Sequence, residues 1–365
     1  MKFVLASYVV TKEYNRPEAW LERIKAYSGI LEALAVKSEV CSIEQIDFEG
    51  DYTKDNVNYH FLKSTSPGKY LPFKLHRFIR DQKPDVVIIQ GLHFPLQVIQ
   101  LRLKLGRKTK LIVQNHAEQP FNGIKKYWQR WADSYIDAYL FASHEMGMDW
   151  IKRGNLLAPE KIHEVMEVSS VFYPIDKTEA RKKTNATGNP MFLWVGRLNE
   201  NKDPLTVIKA FLKFVNSYAP ATLYMIYHTN DLLKDILDLL KDEPNKKAIV
   251  LIGKVPGDEL LYWYNSADFI ISGSHYEGSG TAIAEAMSCG CVPIVTDIFS
   301  FRMITDSGKC GFLYEAGNEQ ALLNTLIQSQ QSNAEEKKRA SLDYFRSNLS
   351  FEAIAAKIQE IAGSL

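Results

Sequence analysis

No apolar run in this 365-residue chain is long enough to cross a bilayer, because a spanning helix needs about 20 uncharged residues. The amino-terminal stretch MKFVLASYVVTKEYNRP also lacks a small-residue cleavage site after its short apolar segment, so it reads as a first strand and a cytoplasmic location is expected. Cysteine is scarce. Cys41, Cys289, Cys291 and Cys310 include no paired C-x-x-C and no Cys/His ligand cluster, which excludes a disulfide scaffold and argues against a structural metal site. Cys289 and Cys291 flank Gly290 at a helix-to-strand joint, where reduced, packed thiols are expected. There is no internal repeat, no low-complexity tract and no recognised nucleic-acid module, so no nucleic-acid partner is expected.

What the chain does have is 46% hydrophobic and 24% charged residues, enough for two domains with separate cores. The net charge of +1 hides an asymmetry: residues 60–130 hold fourteen Lys and Arg against three Asp and Glu. Such a band suits an anionic partner, whether a phosphorylated acceptor, a lipid headgroup surface or nucleic acid, with a set of solvated helix faces as the bland alternative. In YLPFKLHRFIR, helical spacing puts Leu71, Leu75, Phe78 and Ile79 on one face with Lys74, Arg77 and Arg80 around it. That pattern fits an ordinary helix packed on a sheet, with peripheral membrane contact through the amino-terminal domain as the alternative.

Short apolar runs such as KFVLASYVV, DVVIIQ, KLIVQNH and DAYLFAS alternate with amphipathic segments of helical period, the pattern of repeated βαβ units. Residues 173–190 break it with Pro at both ends, a charge run and no apolar period, and read as a linker. The alternation then restarts with MFLWVGR, ATLYMIYH, AIVLIG, DFIISGS and CVPIVTD. The expected architecture is two tandem Rossmann-like, doubly wound parallel-sheet domains facing a cleft, residues 1–172 and 191–345. Residues 346–365 are expected to form a helix packing back toward the first domain.

The segment HYEGSGTAIAEAMSC, residues 275–289, sets Glu277 and Glu285 either side of a loop of small residues that opens a helix at Thr281. A helix beginning this way offers unpaired N–H groups and a positive dipole end, which together suit phosphate. Two carboxylates beside a phosphate need other targets, and sugar hydroxyls fit. Glu285 lies one turn below Thr281 on the same helix face. Upstream, FLWVGRLNENKDP delivers Gly196 and Arg197 at a strand end with Lys202 five residues later, two cations able to neutralise a leaving diphosphate. The bland alternative pairs them with Glu200 or Asp203 at the surface.

GRLNENKDP and EGSGTAIAEAMSCGCVPIVTD resemble the Arg-x4-Lys and E-x7-E segments of the retaining glycosyltransferases of family 4, which have the GT-B fold. The resemblance spans most of residues 190–320 and implies an acceptor-side first domain and a nucleotide-sugar donor domain after the linker. It implies that Arg197 and Lys202 bind the donor diphosphate, Glu285 the ribose and Glu277 the sugar ring. Gly196, Gly278, Ser279, Gly280 and Thr281 would line the donor site, with Val255 near the base. VQNHAE resembles the family's strand-end histidine, placing His116 near the reacting carbon; His93, after VVIIQGL, sits similarly.

The chain departs from the pattern in places. SYVVTKEYNRPEAW replaces a Gly-Gly turn, leaving Asn15 or Arg16 in that space; Ser279 stands where an aromatic is usual; FSFRM puts Arg302 near a usually acidic position. The implied reaction moves a sugar from a nucleoside diphosphate sugar, UDP- or GDP-linked, to an acceptor hydroxyl with retention, in bacterial-type glycan or glycolipid assembly. The acceptor stays open between a lipid-linked saccharide, a growing polysaccharide and a small molecule, phosphorylated compounds among them, and localisation between the cytoplasm and the inner face of the membrane. No Asp-x-Asp occurs, so no metal and no cofactor are expected. Two other readings compete. An NAD(P)-dependent oxidoreductase would use GSGTAI with Asp297, although Ile283 stands where Gly or Ala is needed. A non-catalytic two-domain ligand-binding protein would keep the fold without the chemistry.

Overall fold

The computed structural model describes residues 1–63 and 72–365. They form two compact units, Met1–Ser169 with Phe351–Leu365, and Ser170–Ser350. Leu71, expected on an apolar helix face, lies outside the described residues.

Among the described residues the first unit is built on an eight-stranded sheet in the order β3-β4-β2-β1-β5-β6-β7-β8. These strands are β1 Lys2–Ser7, β2 Glu39–Glu44, β3 Gly50–Lys54, β4 Val57–Phe61, β5 Val86–Gln90, β6 Lys110–Gln114, β7 Ala138–Phe141 and β8 Ile162–Glu164. Central strands read as unbroken apolar runs because helices cover both sheet faces; Val86 to Ile89 are all buried. The edge strand β3 runs antiparallel to β4. Three of its five residues are exposed, which is why this hairpin does not stand out as an apolar run.

The second unit holds a six-stranded sheet in the order β11-β10-β9-β12-β13-β14. Its strands are β9 Met191–Gly196, β10 Thr222–Tyr227, β11 Ile249–Gly253, β12 Phe269–Ser272, β13 Val292–Thr296 and β14 Phe312–Tyr314. All pairs are parallel. Phe192 anchors the core, with ring centroids of Phe211 and Phe269 at 5.2 and 5.1 Å. The chain winds outward from β9 to β11, then crosses back to β12 on the other side of β9. The carboxyl ends of β9 and β12 are therefore a topological switch point, the place where open α/β sheets bind ligands. The two strands pair through Phe192–Phe269 and Leu193–Ile270, short of those ends.

The linker expected over 173–190 is corrected. It contains a helix, Lys177–Thr184, capped by Asp176 and packed on the helix Leu260–Ser266. Its charge run is structural: Lys177 and Arg181 both pair with Asp268, so ion pairs replace the apolar stripe that periodicity looks for. The helix Phe351–Ser364 belongs to the first unit and packs on Lys25–Ala35. Gly29 makes the approach possible, since a Cβ there would lie 2.6 Å from the Phe351 ring. The helix Phe73–Asp81 buries Leu75 and Ile79 and stacks Phe78 edge-on against His60, so its apolar face is used inside the unit. All four cysteines are free and buried. Burial pushes the Cys41, Cys289 and Cys310 thiols up to about 12, which keeps them protonated and unreactive.

Candidate functional site

Two loops meet at the switch point of the second unit. After β9 come Arg197, Leu198 and a short turn in which the Asn199 side chain accepts from the Lys202 amide. Asp203 then takes a left-handed conformation, φ 42°, and its carboxylate caps the helix Pro204–Phe214 through the Thr206 amide at 3.2 Å. After β12 the chain runs through Gly273–Glu277 to Gly280, which at φ +60° opens the helix Thr281–Ser288.

Asn201 fastens the loops together. Its backbone carbonyl accepts from the His275 amide at 2.8 Å, its side-chain oxygen from the Tyr276 amide at 3.1 Å, and its side-chain nitrogen donates to the Tyr276 carbonyl at 2.9 Å. Gly273 permits the contact, because a Cβ there would sit 3.0 Å from the Asp203 carbonyl oxygen and 3.1 Å from that of Lys202. His275 adds a contact to Asp203 at 3.3 Å. The result brings Lys202 onto Glu277 as a close ion pair, with side chains 20% and 14% exposed. Lys202 thus pairs neither with Glu200 nor with Asp203. Arg197 is exposed, and among the described residues no side-chain hydrogen bond or ion pair engages its guanidinium.

Gly280 supplies no side-chain cap to the helix it opens, so the first-turn N–H groups of Thr281 and Ala282 stay available to an anion. A Cβ on Gly280 would lie 2.7 Å from the Phe301 ring, so both its φ and its lack of side chain are needed. Gly278 and Ser279 are buried in the loop. One turn on, half-buried Glu285 accepts from the Tyr264 hydroxyl at 2.8 Å. Burial, reinforced by Glu285, holds the Tyr264 pKa well above its ordinary value, so the hydroxyl stays a donor. Gly196, Arg197, Lys202, Glu277, Gly278 to Thr281 and Glu285 therefore share the carboxyl edge of β9 and β12. Val255 stands apart, half-buried after β11 at the sheet edge. Arg302, at the usually acidic position, makes a bidentate pair with Asp297 at 2.5 and 3.1 Å, which engages the acid that a dinucleotide reading needs.

In the first unit His116 follows β6, at the carboxyl ends of the strands. Its Nδ1 pairs with Glu167 and its Nε2 meets Gln90 Oε1, while Gln90 Nε2 donates to the Tyr27 hydroxyl at 2.9 Å. Both ring nitrogens face oxygen acceptors, an arrangement that only the imidazolium satisfies. Burial works against that charge, but the hydrogen bond and charge of Glu167, helped by Glu118, outweigh it and raise the pKa above the ordinary value. Glu118 is itself buried and accepts from the Leu92 and His116 amides at 3.0 and 2.6 Å. His93 reaches the edge of this network, its Nε2 3.9 Å from Glu118; it is half-exposed beside Lys125 at 3.3 Å, in the wall of a cavity of about 460 Å³.

A raised folded pKa means the His116 contribution is fully present below about pH 6.5, the unfolded value, and is lost as pH rises through the folded value. Ring-proton titration by NMR is expected to put the His116 midpoint above the ordinary histidine value, and Glu167→Gln to lower it. A wild-type midpoint at or below the ordinary value contradicts this. His76 is the internal contrast: burial, aided by Lys104, pushes it down to about 4.

Asn201, Tyr264, Gln90 and Glu167 are site residues that sequence reasoning missed. Asn201 adjoins Lys202 in the quoted motif and could have been flagged there. The other three come from distant segments with no pattern of their own. Among the described residues no group of three or more His, Cys, Asp or Glu is placed to hold a metal ion.

Residues 176–344 match the family described as glycosyl transferases group 1. A phosphatidylinositol N-acetylglucosaminyltransferase GPI3 subunit of Saccharomyces cerevisiae is 22% identical over 200 residues, covering 53% of this chain and 43% of that protein. An Escherichia coli UDP-Gal:alpha-D-GlcNAc-diphosphoundecaprenol alpha-1,3-galactosyltransferase is 27% identical over 139 residues, 38% of this chain and 35% of the relative. The chain thus spans less than half the length of these curated relatives. Among solved structures, Anabaena HepE in complex with UDP superimposes with a TM-score of 0.73 at 14% identity, covering 100% of both chains. The chain has the GT-B fold, and within its second unit residues 176–344 are similar to the glycosyl transferases group 1 family.

Proposed function

We propose that this protein is a retaining, metal-independent glycosyltransferase that moves a sugar from a nucleoside diphosphate sugar to an acceptor hydroxyl. The observation that carries the reading is the set built at the β9/β12 switch point: an unpartnered Arg197, the Lys202–Glu277 pair, Glu285 one turn into a helix, and the open amino terminus of that helix. A diphosphate takes the cations and N–H groups, and the hydroxyls of its two sugars take the carboxylates.

In the proposed step the bond from the anomeric carbon to the diphosphate oxygen breaks, and the acceptor oxygen bonds to that carbon from the same face. The acceptor proton passes to the departing diphosphate. Arg197 and Lys202 offset the charge that grows on the leaving group, and Glu277 is freed to bind sugar hydroxyls as Lys202 turns to the phosphate. We assign His116 to sugar binding on the resemblance of VQNHAE, a role for which it must exchange its Gln90 contact. The names of the relatives support a UDP-sugar as first donor to test and a lipid-linked acceptor as first class to try.

Release of nucleoside diphosphate from UDP- and GDP-sugars, followed in EDTA with lipid-linked and free glycan acceptors, tests the reading. Turnover is expected with one donor and unchanged by EDTA, and NMR of the product should show the donor's anomeric configuration. Loss of turnover in EDTA contradicts metal independence, and inversion contradicts retention.

A further inference from the structure

We propose that the helix Gly123–Ala132 of the first unit docks the protein on an anionic lipid bilayer. A helix on an α/β domain turns its apolar stripe toward the sheet. This one does the reverse. Ile124, Tyr127, Trp128 and Trp131 fall at the i, i+3, i+4, i+7 spacing of one face, and they are 67%, 65%, 40% and 54% exposed. The covered side is polar or small, with Gln129 and Ala132 buried.

The face is also firmly held. The neighbouring helix Pro95–Leu105 packs against it, and buried Arg102 from that helix donates to the Tyr135 carbonyl at 2.7 Å and pairs with Asp137, both just past the end of Gly123–Ala132. Lys161 fixes the same end through the Asp133 carbonyl at 2.6 Å. The stripe is therefore a built surface on a rigid support.

Charge selects the occupant. The helices Pro95–Leu105 and Gly123–Ala132 and residues 106–110 contain no Asp or Glu. They contribute Lys104, Arg107, Lys108, Lys126 and Arg130, and among the described residues none of these five has a carboxylate partner. Leu103, 72% exposed, adds apolar surface beside them. Indole and phenol rings partition to the headgroup level, and ringed by cations they match an anionic bilayer. The apolar helix Phe73–Asp81, the sequence-based candidate for membrane contact, spends its face inside the unit. The inference does not rest on glycosyl transfer.

Flotation of the whole protein with phosphatidylglycerol-containing vesicles at low salt tests it, beside phosphatidylcholine vesicles. The wild type is expected to float with the anionic vesicles, to be released by about 0.5 M salt, and to stay below with the neutral ones. Tyr127→Ser with Trp131→Ser, and separately Lys126→Glu with Arg130→Glu, should each lower the bound fraction about tenfold with unchanged circular dichroism. Three results overturn the proposal. They are failure of the wild type to float at low salt, binding of either double variant at the wild-type level, and a dimer in sedimentation equilibrium that the stripe variant dissociates, which assigns the face to a second copy.

Discussion

Lys202→Ala is expected to lower kcat about a hundredfold and the melting temperature with it, while Arg197→Ala lowers kcat by a similar factor and leaves the melting temperature unchanged. Removing one preorganised group that stabilises transition-state charge costs about 3 kcal/mol of barrier. Both cations stand at the carboxyl edge of β9 and β12, so both should show that loss. They differ in what they leave behind. Lys202 is paired with Glu277 in a mostly covered position, and a carboxylate left there without its partner costs about 1–3 kcal/mol. For a unit of this size each kcal/mol moves the melting temperature by about 2–4 °C. Arg197 is exposed with its guanidinium unengaged, so alanine removes no native side-chain hydrogen bond or ion pair. Steady-state kinetics and calorimetric scans on the two variants decide the matter. Unchanged kcat in both would contradict the leaving-group role, and equal melting temperatures would contradict the pairing of Lys202 with Glu277.

The second large effect is on nucleotide binding. If Glu285 accepts from the donor's ribose diol, Glu285→Ala removes hydrogen bonds to a charged acceptor, about 1.5–3 kcal/mol, or about ten- to a hundredfold in Kd. Tyr264→Phe is the informative companion. It keeps the carboxylate and deletes only the hydroxyl that donates to Oε2 at 2.8 Å, so a loss under about tenfold is expected from less firm positioning. Equal losses in the two variants would mean that Glu285 acts through Tyr264 and not on the ligand.

Much of this was legible from residues close together in the chain. Apolar runs such as MFLWVG and DFIIS mark β9 and β12 because parallel strands covered on both faces are apolar throughout. The glycine loop before TAIAEAMS marks a helix start because Gly280 must take a positive φ. Pairings across long sequence separations left no such trace. Asn201 meets residues 275 and 276, Tyr264 meets Glu285, and Glu167 meets His116, each through a topology that local pattern cannot supply. Helix 177–184 reads as linker in the sequence because its stabilising contacts are ionic. For helix 123–132 the periodicity of GIKKYWQRWA shows a stripe but carries no information on whether it faces sheet or solvent.

The donor site itself is tested most directly by calorimetric titration of the protein with UDP, GDP, ADP and NAD in EDTA, repeated on Glu285→Ala. Saturable binding of one nucleoside diphosphate without metal, weakened in the variant, is the predicted result. Tight NAD binding with no preference among the diphosphates, or diphosphate binding that Glu285→Ala leaves untouched, would contradict it.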